Sequence, residues 1–348
     1  MKLSRRSLAA GTAAILLARQ AGAAETPKPA RIVFNDSGGS MTSNLRRIYF
    51  DPFEKKTGIQ VVQTSPVDFA KLRAMVASGN VEWTVTEIGS QDSVRAVEMG
   101  LVEPIDPAIV DRSSFPEQAR KPSVFASSVY STVLAYDAET FKAGTQPKGW
   151  AEFWDMKRFP GPRSLRNHPV DNLEFALLAD GVTADKLYPL DVDRAFKKLD
   201  EIKPHISVWW TTGAQPAQLL LDKEVVLATG WNGRFFDLMQ KKAPIGLEWT
   251  QAALKQGTFV IPKGAKDAYW GQQLLAMFTN PKSQALYAEA LAYPGLNKDS
   301  AQYINPALLP FMPTAPANLE KQYWTNDEWW SANGGAAIER WNGWLLRR

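Results

Sequence analysis

The residues best suited to chemistry in this chain are Trp231-Asn232-Gly233-Arg234, which follow a short apolar run from Val225 to Gly230 and open a helical pattern from Arg234 to Lys241. A strand running into a helix start places backbone N–H groups, a tight turn, an indole face and a guanidinium together, a set of donors suited to a carboxylate. The alternative for Arg234 is a salt bridge on the protein surface. A second group is Asn35-Asp36-Ser37-Gly38-Gly39-Ser40, small polar side chains and open backbone where a strand gives way to a helix, with Gln91 and Asp92 at the end of another strand. The glycine pair alone would serve any tight turn, and the segment lacks the G-x-x-x-x-G-K-[ST] pattern of a phosphate loop. In Trp209-Trp210-Thr211-Thr212-Gly213, Trp209 is expected in the core and Trp210 on a cleft wall, where an indole face attracts a cation by about 0.5–2 kcal/mol. Asp171, after Asn167-His168-Pro169-Val170, reads as a helix N-cap, and His168 as a cap or surface residue.

Catalysis finds little support. There is no cysteine, no G-x-S-x-G and no H-E-x-x-H. His168 and His205 are the two histidines, and no serine is marked by context as a partner for either. Asp191-x-Asp193 reads as the polar start of a helix, and neither a metal nor a cofactor is implied. An exported hydrolase or transferase stands as the alternative to a binding protein.

Around these residues, short apolar runs alternate with helical patterns. Arg31 to Asn35, Ile59 to Val62 and Trp83 to Ile88 read as strands, each followed by a helix, of which Asp68 to Ser78 is one. Tyr130 to Tyr136 reads as a long strand. Helices are then expected over Asn172 to Ala179, Val192 to Ile202 and Gln215 to Leu221, with a strand at Thr258 to Ile261. Strand–helix alternation with short loops predicts an α/β fold with a mainly parallel sheet. Trp324, Trp329, Trp330, Trp341 and Trp344 form an aromatic tail in which Ile338, Trp341 and Leu345 share a helical face.

The 348 residues suggest about two lobes. Zero cysteines exclude a disulfide scaffold, a zinc finger and thiol chemistry. The N-terminus has a charged start with Ser4-Arg5-Arg6, an apolar stretch from Leu8 to Ala18 and Ala21-Gly22-Ala23 before Ala24, the three parts of an export signal. Residues 1–23 resemble a twin-arginine signal, so the protein is expected in the periplasm. Their removal takes Lys2, Arg5, Arg6 and Arg19 and no acid, leaving 36 basic residues of the original 40 against 36 acidic ones. The net charge of +4 thus belongs to the signal, and a nucleic-acid partner is not expected.

Phe53-Glu54-Lys55-Lys56-Thr57-Gly58-Ile59, Gly100-Leu101-Val102-Glu103-Pro104-Ile105-Asp106, Pro147-Lys148-Gly149-Trp150 with Phe153-Trp154-Asp155, and Trp231-Asn232-Gly233-Arg234 together resemble extracellular solute-binding proteins of ABC importers, in particular the spermidine/putrescine-binding branch. The resemblance implies a type II periplasmic binding protein fold. Its two α/β lobes would be 31–136 plus 263–320 and 137–262, joined by crossover strands at Thr132–Tyr136 and Phe259–Pro262, with residues 321–348 docked on the first lobe. It also implies a small-molecule solute held between the lobes and delivered by a monomer to ABC permease subunits; a sensor presenting ligand to a membrane receptor would share the fold. By the same resemblance, Trp231 stacks on the ligand and Asp171 takes an ammonium. The polyamine group's Trp-x-Asp before the second crossover is replaced here by Lys255-Gln256-Gly257. With an Arg gained at 234 and that Asp lost, the expected ligand has an acidic end, as a γ-amino acid does. The expected ligand-binding residues are therefore Asp36, Ser37, Gly38, Gln91, Asp92, Asp171, Trp210, Trp231, Asn232 and Arg234.

Overall fold

The computed structural model describes residues 26–142 and 144–347; the export-signal expectation for residues 1–23 lies outside them. Among the described residues, nine strands make one hydrogen-bonded sheet: β1 (Arg31–Asn35), β2 (Gln60–Thr64), β3 (Val85–Ile88), β4 (Phe125–Asp137), β5 (Arg163–Arg166), β6 (Ile206–Trp210), β7 (Leu227–Trp231), β8 (Ile245–Val260) and β9 (Tyr323–Trp324). Their order is β2-β1-β3-β8-β4-β7-β5-β6, with β9 beside β8. β1 runs parallel to β2 and β3, and β5 parallel to β6 and β7. β4 and β8 are antiparallel to each other and stitch the two parallel groups together.

Two separate cores flank these long strands. Phe34, Phe50, Phe125, Phe259 and Phe278 centre one of them around β1. Trp150, Phe153, Leu173, Phe175 and Phe196 centre the other, beside β5. A bulge between Thr132 and Leu134 falls near the middle of the β4–β8 ladder, between the two, so the strands that cross are also where the ladder is irregular. The crossovers are longer than the sequence reading had them, because β4 begins at Phe125 and β8 at Ile245. Residues 245–257 mix Glu, Thr, Gln and Lys into the strand, which blurs the apolar alternation that marks one.

Four helices matter for the site: α1 (Ser90–Glu98), α2 (Pro169–Ala179), α3 (Asn232–Gln240) and the terminal α4 (Asp327–Leu346). The sequence reading docked the tail on the first lobe; in the structure α4 packs on α1 there and also carries its indoles into the second core. Trp330, Trp341 and Trp344 are buried in the second core, the last two packed with Phe196 and Trp209. Trp341 Nε1 donates to Asn167 and Trp344 Nε1 to Asp200, at 3.0 and 2.7 Å. Near its start α4 is bonded to α1, where Ser90 Oγ donates to Asp327 and Ser331 Oγ to Glu98. Three indoles need an apolar bed with polar atoms at its rim, and the 167–209 segment supplies both. Trp324 is outside this cluster and half exposed.

Candidate functional site

The carboxyl ends of β1, β3, β5 and β7 converge on a cavity of about 200 Å³, and β4 and β8 floor it. This is where an open α/β sheet places its ligand. Ser37 and Met41 arrive after β1; Glu87, Gly89, Gln91 and Asp92 come from β3 and α1; Arg166, His168 and Val170 follow β5; Trp231 and Arg234 end β7 and begin α3. Ser127, Ser128 and Tyr130 on β4 and Lys255 and Gly257 on β8 form the floor, and Tyr287 and Tyr293 close one side.

The aromatic wall is continuous. The Tyr130 ring meets Trp231 edge-on at 6.3 Å and Tyr293 at 5.7 Å. Arg166 lies over Trp231 at 5.6 Å and over Trp210 at 5.7 Å. Its guanidinium makes no ion pair or hydrogen bond among the described residues. Arg234 is tethered on one side only. Its Nη1 donates to Gly38 O and Ser40 Oγ, both at 3.2 Å, and its buried Nε has no partner among the described residues. The approach needs bare backbone. Gly39 has φ +67°, and a Cβ there would sit 3.1 Å from Arg234 Nη1. A Cβ on Gly233 would collide with the Leu291 carbonyl.

Acids face these cations. Glu87 accepts from the N–H and the Oγ of Ser37, at 2.8 and 2.6 Å. Burial pushes its pKa up to about 7 against those two bonds, and Asp36 adds to the rise while Arg234 opposes it. Asp92 has no ion pair or hydrogen bond from its carboxylate among the described residues. Burial raises its pKa despite Arg95 and Arg166 nearby. His168 is held well below the usual imidazole range by burial, with Arg166 and Lys255 adding to the effect. Its Nδ1 accepts from Val170 N at 3.2 Å, so it caps α2 and lines the cavity at once.

The expected residues divide into those on the cavity and those behind it. Ser37, Gln91, Asp92, Trp231 and Arg234 line it. Asp36 is fully buried, accepting from Gly38 N, Thr42 Oγ1 and Gln63 Nε2, and shapes the β1 turn. Gly38 offers its carbonyl to Arg234. Asn232 is a brace: its Oδ1 accepts from Ser131 N and its Nδ2 donates to Ala292 O. The sequence reading placed Trp210 on the cleft wall and Trp209 in the core; neither lines the cavity, and Trp210 is the more buried of the two. Trp210 is buried one layer behind Trp231, at 5.9 Å, with its Nε1 turned to Thr229, while Trp209 is only partly buried against Trp341 and Trp344. Asp171 is neither an N-cap nor a lining residue. It sits at φ +74° in a kink of α2, and its carboxylate is occupied by Lys255 Nζ, 2.6 Å from each oxygen.

Glu87, Tyr130, Arg166, Lys255, Tyr287 and Tyr293 went unrecognised from sequence. Arg166 was concealed because β5, Arg-Ser-Leu-Arg, does not look like a strand. Arg163 is wholly buried there, paired with the Phe153 and Phe159 carbonyls. A charge at the end of a strand before a Pro-started helix was the available signal. For Glu87 it was a lone acid in Val-Thr-Glu-Ile.

Comparison with known proteins agrees with this geometry. Residues 49–318 match the family described as bacterial extracellular solute-binding protein. The gamma-aminobutyric acid-binding protein of Pseudomonas aeruginosa is 35% identical over 317 residues, 89% of either chain. The spermidine/putrescine-binding periplasmic protein of Escherichia coli is 23% identical over 80% of this chain and 82% of its own. The crystal structure of an ABC transporter substrate-binding protein from Bradyrhizobium japonicum superposes with TM-score 0.84 at 40% identity, covering 92% of this chain and all of the other.

Proposed function

Because the chain belongs to the bacterial extracellular solute-binding protein family of ABC importers, we propose that its cleft takes a small ω-amino acid of the γ-aminobutyrate kind as a zwitterion. The observation that carries this reading is a pair of opposite charges on the cavity, Arg166 at the end of β5 and Asp92 on α1, neither of which has an ion-pair or hydrogen-bond partner among the described residues. Arg166, with Arg234 beside it, receives the carboxylate as charge-assisted hydrogen bonds. Asp92, with Glu87, receives the ammonium. The Tyr130 and Trp231 rings hold the methylene chain between the two ends, where apolar burial contributes about 0.8 kcal/mol per CH₂. Groups from both sides of the β4–β8 crossing then close on one solute, which favours the closed arrangement of the lobes by differential contact.

The relative that binds gamma-aminobutyric acid, by its name, is more similar to this chain than the spermidine/putrescine-binding one, which supports a ligand with an acidic end. The protein works, on this reading, as a monomer in the periplasm, exported with its signal cleaved near Ala23. It delivers solute to permease subunits without catalysing a reaction or binding nucleic acid.

Titration calorimetry of the mature chain with γ-aminobutyrate, putrescine, glutarate and a neutral sugar tests it. The ω-amino acid is expected to bind, and at a hundred times its Kd to stabilise the fold by about 2.7 kcal/mol. Binding of the sugar alone, or of putrescine in preference to the zwitterion, overturns the reading.

A further inference from the structure

Lys255 presents a third cation to the cleft, after Arg166 and Arg234, and its surroundings have the composition of an amine site. Its Nζ lies 2.6 Å from both Asp171 oxygens and 2.7 Å from Thr132 Oγ1, with the Tyr130 ring face at 5.6 Å. A carboxylate, a hydroxyl and an aromatic face are the groups that recognise an alkylammonium. Lys255 borders the cavity and Asp171 does not, so the lysine side chain stands between that carboxylate and any solute. The left-handed backbone at Asp171 turns its carboxylate out of the α2 path and toward β4 and β8. A second acid, Glu174, is wholly buried nearby and feels the charges of both Asp171 and Lys255.

We propose that Lys255 is the specificity-determining residue that bars ligands with a second amine: its own ammonium permanently fills an amine subsite made by Asp171, Thr132 and Tyr130. A diamine whose first ammonium sits on Asp92 would carry its second charge against Lys255 and Arg166, with the Asp171 carboxylate already taken. The side chain of lysine is itself a tethered butylammonium. Shortening it therefore leaves a space of matching shape with a carboxylate at its end, opened to the cavity. The proposal uses the zwitterion reading only to say which solute the wild type accepts; the subsite itself depends on Lys255 and Asp171.

The test is Lys255→Ala, titrated with n-butylamine and with putrescine. The variant is expected to bind either amine about tenfold to a hundredfold more tightly than the wild type, the scale of one charge-assisted contact. Lys255→Ala with Asp171→Asn is expected to lose that gain. Should Lys255→Ala not fold alone, the same amines are added during refolding. Recovery of a cooperative melt by n-butylamine, and not by n-butanol, supports the subsite. The proposal is overturned if folded Lys255→Ala binds amines no better than the wild type, if the double variant keeps the gain, or if an unfolded variant is not recovered by the amine. Failure of the wild type to bind an ω-amino acid would overturn the ligand reading and leave these amine measurements to be judged separately.

Discussion

Lys255 and Asp171 meet at 2.6 Å with 3% and 1% of their side chains exposed, whereas Arg166 and Asp92, on the same cavity, form no ion pair among the described residues. The first pair is closed: its charges satisfy each other, with Thr132 as a third partner. The second is open. Asp92 carries the burial cost of its charge without a hydrogen bond to offset it, and Arg166 stands over two indoles beside Lys255 and His168, both of which its charge disfavours. Charge on a cavity that no side chain of the fold pairs with or hydrogen-bonds is available for a solute to satisfy. Each pair joins a strand residue, Lys255 or Arg166, to an acid in the first turn of a helix, Asp171 or Asp92, so position alone does not separate a binding residue from a bracing one; the presence of a partner does.

The sharpest way to break the contrast is to open the closed pair. Asp171→Asn leaves a wholly buried ammonium facing a neutral amide, and breaking such a pair costs about 3–5 kcal/mol. Lys255→Met with Asp171→Asn removes both charges at similar volume and should recover most of that loss. Urea denaturation at neutral pH measures both. If the single variant loses under about 1 kcal/mol, the pair is behaving as a surface bridge and the contrast fails.

Changing the open pair should act in the other direction, on affinity and not on stability. Arg166→Ala removes the unpartnered guanidinium, and the loss of bonds to a carboxylate should weaken ω-amino acid binding by about a hundredfold. Its unfolding free energy should stay nearly level, because relief of the repulsion on Lys255 is set against the lost attraction to Asp92. Calorimetry and denaturation on the same preparation give both numbers. A variant that loses stability and keeps affinity would move Arg166 to the bracing set.

Much of this contrast lay beyond sequence reasoning, for reasons that can be named. Helices and strands with clean periodicity were legible. Val192–Ile202 and Gln215–Leu221 fall where the apolar spacing put them, and the helix expected from Asp68 to Ser78 runs Phe69–Ser78 with Asp68 as its cap. The strand ends at 35–40, 89–92 and 231–234 were legible as a site because turn residues follow apolar runs there. Strand β5 was hidden by two arginines in four residues, and with it the Arg166 wall. Lys255 was noticed only for what it replaced. That a lysine at 255 would reach an aspartate 84 positions away depends on the register of β8 against β4 and on the kink at Asp171. Neither leaves a local pattern. The tail was read as a helix from its spacing, but its partner was not legible, since indoles dock wherever an apolar bed with acceptors exists.

The smallest effect concerns Glu174, the acid behind the closed pair. Its Oε1 accepts from Tyr188 Oη and Trp330 Nε1, both at 2.6 Å, while Oε2 has no partner among the described residues. Burial, reinforced by Asp171, pushes its pKa up to about 7. Below the unfolded value both states hold the proton and the group is neutral to stability. Between about 4.5 and about 7 the folded chain keeps a proton that the unfolded chain has released, so stability falls as pH rises across that window and levels off above it. The slope from this one group approaches about 1.4 kcal/mol per pH unit at its steepest. Glu87 and Asp92 bend the same profile in the same sense, so the informative quantity is the difference between the wild type and Glu174→Gln. The variant should lose less stability between pH 5 and 7, with its binding of ω-amino acids unchanged. Superimposable profiles would mean that Glu174 is already ionised at the lower pH. Asp171 and Glu174 would then both be charged beside a single lysine, and the closed pair would not be the neutral unit on which the contrast with Arg166 and Asp92 depends.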